Sequence, residues 1–336
     1  MLSRQQKKAL TTVGKFVLPV VAAFVVLMVS LTVNTIQSLS HPPRTKYAVS
    51  LSDYALIGKI ITKQDVSWSL KGGGQGAGWL LQGPKGAPLI ILSHSYGQNM
   101  VDQISLAVLL YDAGYHVLLY DLRGHSESKI QTTSLGDDEV DDLLAAIEHV
   151  KGLKDATGEL LINKDQIGLF GVSIGAYASL VAASKDPSVK AVAVDAIYPD
   201  VKRYTEIKVK EFSSFSNPFL LYFTDLGMKF NFSKYNTTSA TKALSGLTEV
   251  KQLYILGKDT KDLQLTTNEI FNKAIGPKQS VEVPKSRINI LYKADQDVYD
   301  PVVQTFFLDA LPPKVDPPAL DPSTSATTEP PAEETK

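Results

Sequence analysis

The stretch Ile167-Gly-Leu-Phe-Gly171-Val-Ser173-Ile-Gly175-Ala-Tyr-Ala-Ser-Leu-Val181 decides the fold. It opens as a short apolar run, passes through Gly-x-Ser-x-Gly, and continues as an apolar segment of helical character. The two glycines leave room for a sharp strand-to-helix turn that holds Ser173 in a strained conformation with its hydroxyl presented. The helix that follows aims its first amides at the same spot, where an oxyanion would need them. Ser173 is therefore a candidate nucleophile.

Working outward, apolar runs bounded by Gly, Pro or Asp recur at Leu89–Ser93, His116–Tyr120, Val189–Val194, Leu253–Leu256 and Ser280–Val283. Helical stretches lie between them, which predicts βαβ units and a mainly parallel sheet. Asp137–Lys151 is such a helix, with an acidic start, a basic end, and Val140, Leu143, Leu144 and Ile147 on one face. Upstream, Val66–Leu70 and Gly78–Gln82 alternate around a glycine-rich stretch and predict a leading antiparallel hairpin. That stretch, Gly72-Gly-Gly-Gln-Gly-Ala-Gly78, lacks the Gly-Lys-Ser/Thr ending of a phosphate loop and leads into a strand.

Two further blocks complete the pattern. Leu89-Ile-Ile-Leu-Ser-His94-Ser95-Tyr96-Gly97 resembles the strand and His-Gly-x-Gly oxyanion loop of the α/β-hydrolase family, with Ser95 where glycine is usual. Asp121-Leu-Arg123-Gly124-His125-Ser-Glu-Ser128 is similar to that family's Asp-x-Arg-Gly-x-Gly-x-Ser turn. With the serine elbow, the blocks keep the family's order and spacing over most of residues 50–311. The resemblance implies an α/β-hydrolase fold with helices on both faces of the sheet, of the serine hydrolase or serine aminopeptidase-like branch. It implies oxyanion donors at the backbone amides of Tyr96 and Ile174, and His94 as a structural brace. It also implies acyl transfer on an ester or amide of a small-molecule, lipid or peptide substrate, without a cofactor. The catalytic acid belongs after Leu253–Leu256, where Gly257-Lys-Asp259-Thr-Lys-Asp262 offers Asp259 first and Asp262 as the alternative. Residues 201–245 fall where the family inserts a cap.

The histidine breaks the pattern. The chain has five: His41, His94, His116, His125 and His149. None follows His149, so the order Ser, Asp, His cannot be completed. In Val281-Glu-Val-Pro-Lys-Ser286-Arg287-Ile-Asn289 the family's histidine position aligns with Arg287, which stays protonated and cannot act as a general base. An arginine there is expected to lie between Ser173 and Asp259 and to pair with the acid. His125 and His149 read as surface residues. An unusual base, a weakly active hydrolase and a non-catalytic binding or scaffold protein all remain open.

Composition bounds the rest. Of 336 residues, 44% are hydrophobic, and 34 Lys plus Arg oppose 35 Asp plus Glu. Near-neutral charge argues against nucleic acid as a partner. The absence of cysteine excludes disulfides, thiol nucleophiles and thiolate metal sites, and no metal cluster is visible. From Phe16 to Val33 the chain is apolar, and no Asp, Glu, Lys or Arg occurs between Lys15 and Arg44. The run is about 27 Å long as a helix, enough to cross a hydrocarbon core. Arg4, Lys7, Lys8 and Lys15 precede it, which predicts a cytoplasmic N-terminus and an extracytoplasmic bulk. A cleaved signal is the alternative, with Ser38-Leu39-Ser40 as the cleavage candidate. The expected organisation is a basic segment at 1–15, a single-pass transmembrane anchor at 16–36, a linker at 37–48, the hydrolase domain at 49–311, and a disordered Pro-rich tail at 312–336.

Overall fold

The computed structural model describes residues 4–47, 63–71, 73–213 and 218–313. Most of the expected Pro-rich tail, the start of the domain at 49–62 and part of the glycine-rich loop lie outside these residues. The N-terminal helix α1 spans Arg4–Ser40. It continues past the expected end of the span, so the first residues of the predicted linker are helical.

Among the described residues eight strands follow: β1 (Lys63–Ser69), β2 (Gln75–Leu81), β3 (Leu89–Ser93), β4 (His116–Tyr120), β5 (Ile167–Val172), β6 (Val189–Asp195), β7 (Lys251–Gly257) and β8 (Lys278–Val283). They form one sheet in the order β1-β2-β4-β3-β5-β6-β7-β8. The hairpin β1–β2 and the β2–β4 pair are antiparallel, and every other pairing is parallel. Helices interleave as α2 (Ile104–Asp112), α3 (Asp137–Lys151), α4 (Ile174–Ala183), α5 (Val201–Ser213), α6 (Pro218–Asn231), α7 (Ala240–Ala243), α8 (Lys261–Lys273) and α9 (Lys293–Ala310).

The central strands β3, β4 and β5 are buried at every position because both faces are covered, whereas the edge strands β1 and β8 carry polar, exposed residues. In β3, Leu89 and Ile91 pack into a core with α3 and α4, whereas Ile90 and Leu92 pack into a second core with α2 and α9. In β5, Ile167 and Leu169 join the first core, and Phe170 and Val172 the second. The strand order reverses between β3 and β5, and a crevice beyond the carboxyl ends of those strands is where such a sheet accepts ligands. The turn after β3 carries His94 to Gly97; the turn after β5 carries Ser173. The cap stretch lies between β6 and β7 and contributes α5, α6 and α7.

Candidate active site

Ser173 sits between β5 and α4 with φ +54° and ψ −114°, a left-handed conformation that L-residues avoid. The flanking glycines permit it by close approach. A Cβ on Gly171 would lie 2.2 Å from the Gly175 carbonyl oxygen, and one on Gly175 would lie 2.3 Å from that of Ser93. The turn is thus pressed onto β3 as well as bent. The Ser173 amide donates to the Asp195 carbonyl at 2.9 Å, which ties the elbow to the end of β6. Its Oγ donates to the Tyr204 hydroxyl at 3.0 Å, and the serine is fully buried beneath that ring.

Tyr204 belongs to cap helix α5 and closes a stack of three tyrosines. Tyr177 and Tyr198 stack at 5.0 Å between ring centroids, and Tyr198 and Tyr204 at 4.2 Å. One turn further along α5, Lys208 places its ammonium 5.6 Å from the Tyr204 ring centre and 5.5 Å from that of Tyr96, and pairs with Glu211 at 2.7 Å. Burial pushes the Tyr204 phenol above its ordinary value, with Lys208 pulling it back down. Burial opposes the charge on Lys208, but Tyr204 and Glu211 outweigh it and hold the ammonium above its ordinary value. Beside them opens a polar cleft of about 580 Å³, lined by Tyr96, Lys208, Glu211, Asp259, Ile288 and Asn289 among others.

Among the described residues, neither the Tyr96 nor the Ile174 amide donates a backbone hydrogen bond within the protein. Ile174 N lies in the first turn of α4, where helical amides have no partner in their own helix. The Ser95 hydroxyl, in the same loop as Tyr96, is buried without a partner among the described residues. His94 holds this loop in place. Its Nε2 accepts from the Leu122 amide at 3.0 Å, and Nδ1 meets the Ser95 carbonyl at 2.8 Å. Burial lowers its pKa to about 4 against the opposing Ser95 bond, so the ring is neutral and both nitrogens are engaged.

Asp259 accepts from the Ser286 amide at 2.8 Å and from Asn289 Nδ2 at 3.0 Å, at the mouth of the cleft. Asp262 stands in the first turn of α8 and pairs with Lys210 at 3.0 Å on the exposed rim.

Two expectations are corrected. The Arg287 side chain does not lie between Ser173 and Asp259. It is buried on the opposite side of the loop, where its guanidinium pairs with Asp300 of α9. It also donates to Ser105 Oγ at 2.9 Å and the Asp102 carbonyl at 3.2 Å, and lies 5.3 Å from the Tyr299 ring centre. A buried guanidinium needs a full set of acceptors, and α2, the turn just before it and α9 supply it. The next residue, Ile288, lines the cleft in its place, followed by Asn289. Nor is His125 a surface residue: it is fully buried, its Nδ1 on the Arg123 carbonyl at 2.8 Å and its ring 5.0 Å from His94. His149 is half-buried and stacks on Trp68.

The sequence reading passed over Asp195, the last residue of β6. Its carboxylate is fully buried and accepts from Ser286 Oγ at 2.9 Å, the Arg287 amide at 2.8 Å and the Tyr299 hydroxyl at 2.7 Å. Burial raises its pKa to about 6, and these donors oppose the shift. Asp195 thereby fixes the loop that carries Arg287, Ile288 and Asn289. A lone acid closing the buried apolar run Ala191–Val194 was its signal. Tyr204 had none, since one tyrosine on an amphipathic helix resembles any other.

Comparison with known proteins agrees with this architecture. Residues 88–244 match the family model described as the alpha/beta hydrolase fold. The uncharacterized protein YqkD of Bacillus subtilis (strain 168) is 26% identical over 220 residues, spanning 65% of this chain and 70% of that protein. The Pyrococcus furiosus esterase Pf2001 superposes with a TM-score of 0.60 at 18% identity, covering 82% of this chain and 99% of that one. The Pyrococcus horikoshii acylaminoacyl peptidase superposes with a TM-score of 0.59 at 14% identity, covering 80% of this chain but 45% of that one. In sheet order and superposition alike, the chain has the α/β-hydrolase fold.

Proposed function

We propose that this protein is a membrane-anchored serine hydrolase acting on an ester or amide, with Ser173 as nucleophile and turnover slowed by the missing imidazole. The observation that carries the reading is the Ser173 elbow: a fully buried serine at φ +54°, at the amino end of α4, its hydroxyl bonded to a side chain and not to the backbone. Such strain persists where the surrounding structure over-determines it. The names of the structural neighbours, an esterase and a peptidase, share acyl transfer as their chemistry.

In this reading the Ser173 oxygen attacks the carbonyl carbon while the Tyr96 and Ile174 amides receive the charge on the carbonyl oxygen. The Ser173 proton passes to the oxygen of Tyr204 when that phenol is ionised, with Lys208 beside it as counter-charge. At neutral pH the phenol keeps its own proton, because burial raises its pKa. Attack is therefore slow and quickens as the pH rises. Asp259 orders the Ser286–Asn289 loop.

Anchoring is supported at both ends of α1. Gly14–Ser40 is long and apolar enough to cross a membrane. At its far end the Ser38 carbonyl accepts from the Tyr96 hydroxyl at 2.6 Å, and the Ser40 carbonyl from the Thr133 amide at 2.9 Å. The candidate cleavage site is thus held against the domain, which favours a retained helix. Basic residues before it favour a cytoplasmic N-terminus and an extracytoplasmic hydrolase domain.

A fluorophosphonate probe tests the proposal. Wild type should be labelled slowly at pH 7 and faster at pH 9, and Ser173→Ala should not be labelled at either. Ile288 in the cleft where a base would stand favours a second reading, a non-catalytic binding protein. Absence of labelling in wild type at both pH values would establish that reading instead.

A further inference from the structure

Helix α6 of the cap (Pro218–Asn231) is apolar on two sides. Leu220, Thr224 and Met228 are buried in the domain. On the other side Phe219, Phe223, Leu226 and Phe230 recur at helical spacing, with Tyr222 beside them. Phe230 is 83% exposed and Tyr222 64% exposed. A surface helix of a water-soluble domain turns polar side chains outward; this one turns out aromatic rings. Its two charges, Asp225 and Lys229, pair with each other at 2.8 Å.

The outward stripe faces α1. Phe219, Phe223, Leu226 and Phe230 share an apolar groove of about 250 Å³ with residues of α1 from Phe24 to Val33. The two helices meet closely at Gly227, where a Cβ would lie 2.1 Å from Ile36 Cδ1. The stripe therefore stands at the depth of the apolar half of α1, and its environment is whatever surrounds α1 there.

We propose that α6 is embedded with α1 in the lipid bilayer and that the groove between them is filled by lipid acyl chains. This inference rests on the reading of α1 as a membrane anchor. Acyl chains are the occupant because the groove offers almost no polar lining, runs along α1 and opens sideways at the depth of the hydrocarbon core. Neighbouring α5 carries Tyr204, so the cover over Ser173 is attached to a membrane-seated element.

The cysteine-free chain provides the test. Full-length protein is placed in nanodiscs of phosphatidylcholine and phosphatidylglycerol with one cysteine at a time: Val25→Cys in α1, Phe223→Cys or Phe230→Cys in α6, and Lys273→Cys on exposed α8. A membrane-impermeant maleimide reports water access; for fluorophore-labelled samples, quenching by a nitroxide on the lipid acyl chain reports lipid contact. Val25→Cys and both α6 cysteines should react at least about tenfold more slowly than Lys273→Cys and be quenched by the nitroxide lipid. If Val25→Cys behaves in this way but the α6 cysteines react like Lys273→Cys, the cap stands in water and the inference falls. Protection of the α6 cysteines without quenching would mean a protein covers the stripe, either a second copy or another chain, and also overturns it. If Val25→Cys itself reacts like Lys273→Cys, the anchor reading fails first.

Discussion

At the scale of single residues, the loop after β8 shows how one position changes the chemistry. Arg287 is committed to Asp300, Ser105 and Tyr299, and its own amide to Asp195. Replacing it with histidine would leave the buried Asp300 short of a partner without bringing an imidazole to Ser173. Arg287→His should therefore lower stability by about 3 kcal/mol or more, read as a shift in the denaturation midpoint, with no gain in hydrolysis. Ile288 is the productive position because it lines the cleft with Tyr96 and Asp259. Ile288→His should raise p-nitrophenyl acetate hydrolysis by roughly 10²-fold, since general-base assistance is typically worth ~10²–10⁴. The gain should disappear when Ser173→Ala is added, and a rate unchanged by Ile288→His would show that the cleft does not deliver an imidazole to the serine. The sequence made the absence of a histidine plain but not which side chain replaced it. Alignment counts residues, whereas loop direction is set by what Arg287 must bury.

At the scale of elements, the elbow depends on contacts between strands that are distant in sequence. Gly175 meets the carbonyl of Ser93, on the neighbouring strand, at a separation that no Cβ tolerates. Gly175→Ala should force α4 off β3, cost roughly 3 kcal/mol or more and abolish fluorophosphonate labelling. Gly86 provides the contrast: it has φ +75° with open space around it. Gly86→Ala should cost only about 1 kcal/mol and leave labelling intact, because backbone strain is its sole penalty. Equal losses in the two variants would mean that the close approach at Gly175 is relieved by movement of the chain. The elements themselves were legible. Helix α3 occupies Asp137–Lys151 as its charges and apolar face require, and each strand sits where its apolar run does, extended at one or both ends in most cases. Helix α1 and the cap were less so. Apolar residues on α6 read alike whether they face a core, a second helix or lipid, and only their arrangement in space separates the inner Met228 from the outer Phe230.

At the scale of the whole molecule, buried histidines make the fold sensitive to acid, His116 among them, its pKa lowered by burial. Burial lowers the pKa of His94 to about 4, and burial together with the neighbouring His94 lowers that of His125 to about 3. In the unfolded chain both would titrate near 6.5. Between pH 6.5 and pH 4 the unfolded state thus binds more protons than the native state at these sites, and stability falls as the pH falls. Asp195 acts in the opposite direction. Its native pKa of about 6 exceeds the ordinary carboxylate value, so below pH 6 the native state takes up a proton there first and regains part of the loss. Asp102, Glu139 and Asp142, also raised by burial, act with Asp195, and His116 acts with the other two histidines. His125→Asn keeps an amide donor for the Arg123 carbonyl but cannot be protonated. It should flatten the acid limb, making the fall in stability between pH 7 and pH 4.5 smaller by roughly 3 kcal/mol, whatever its cost at pH 7. Urea denaturation at the two pH values measures this directly. An acid limb of unchanged steepness would place the proton uptake elsewhere, and a steeper one would mean that His125 is charged in the native state.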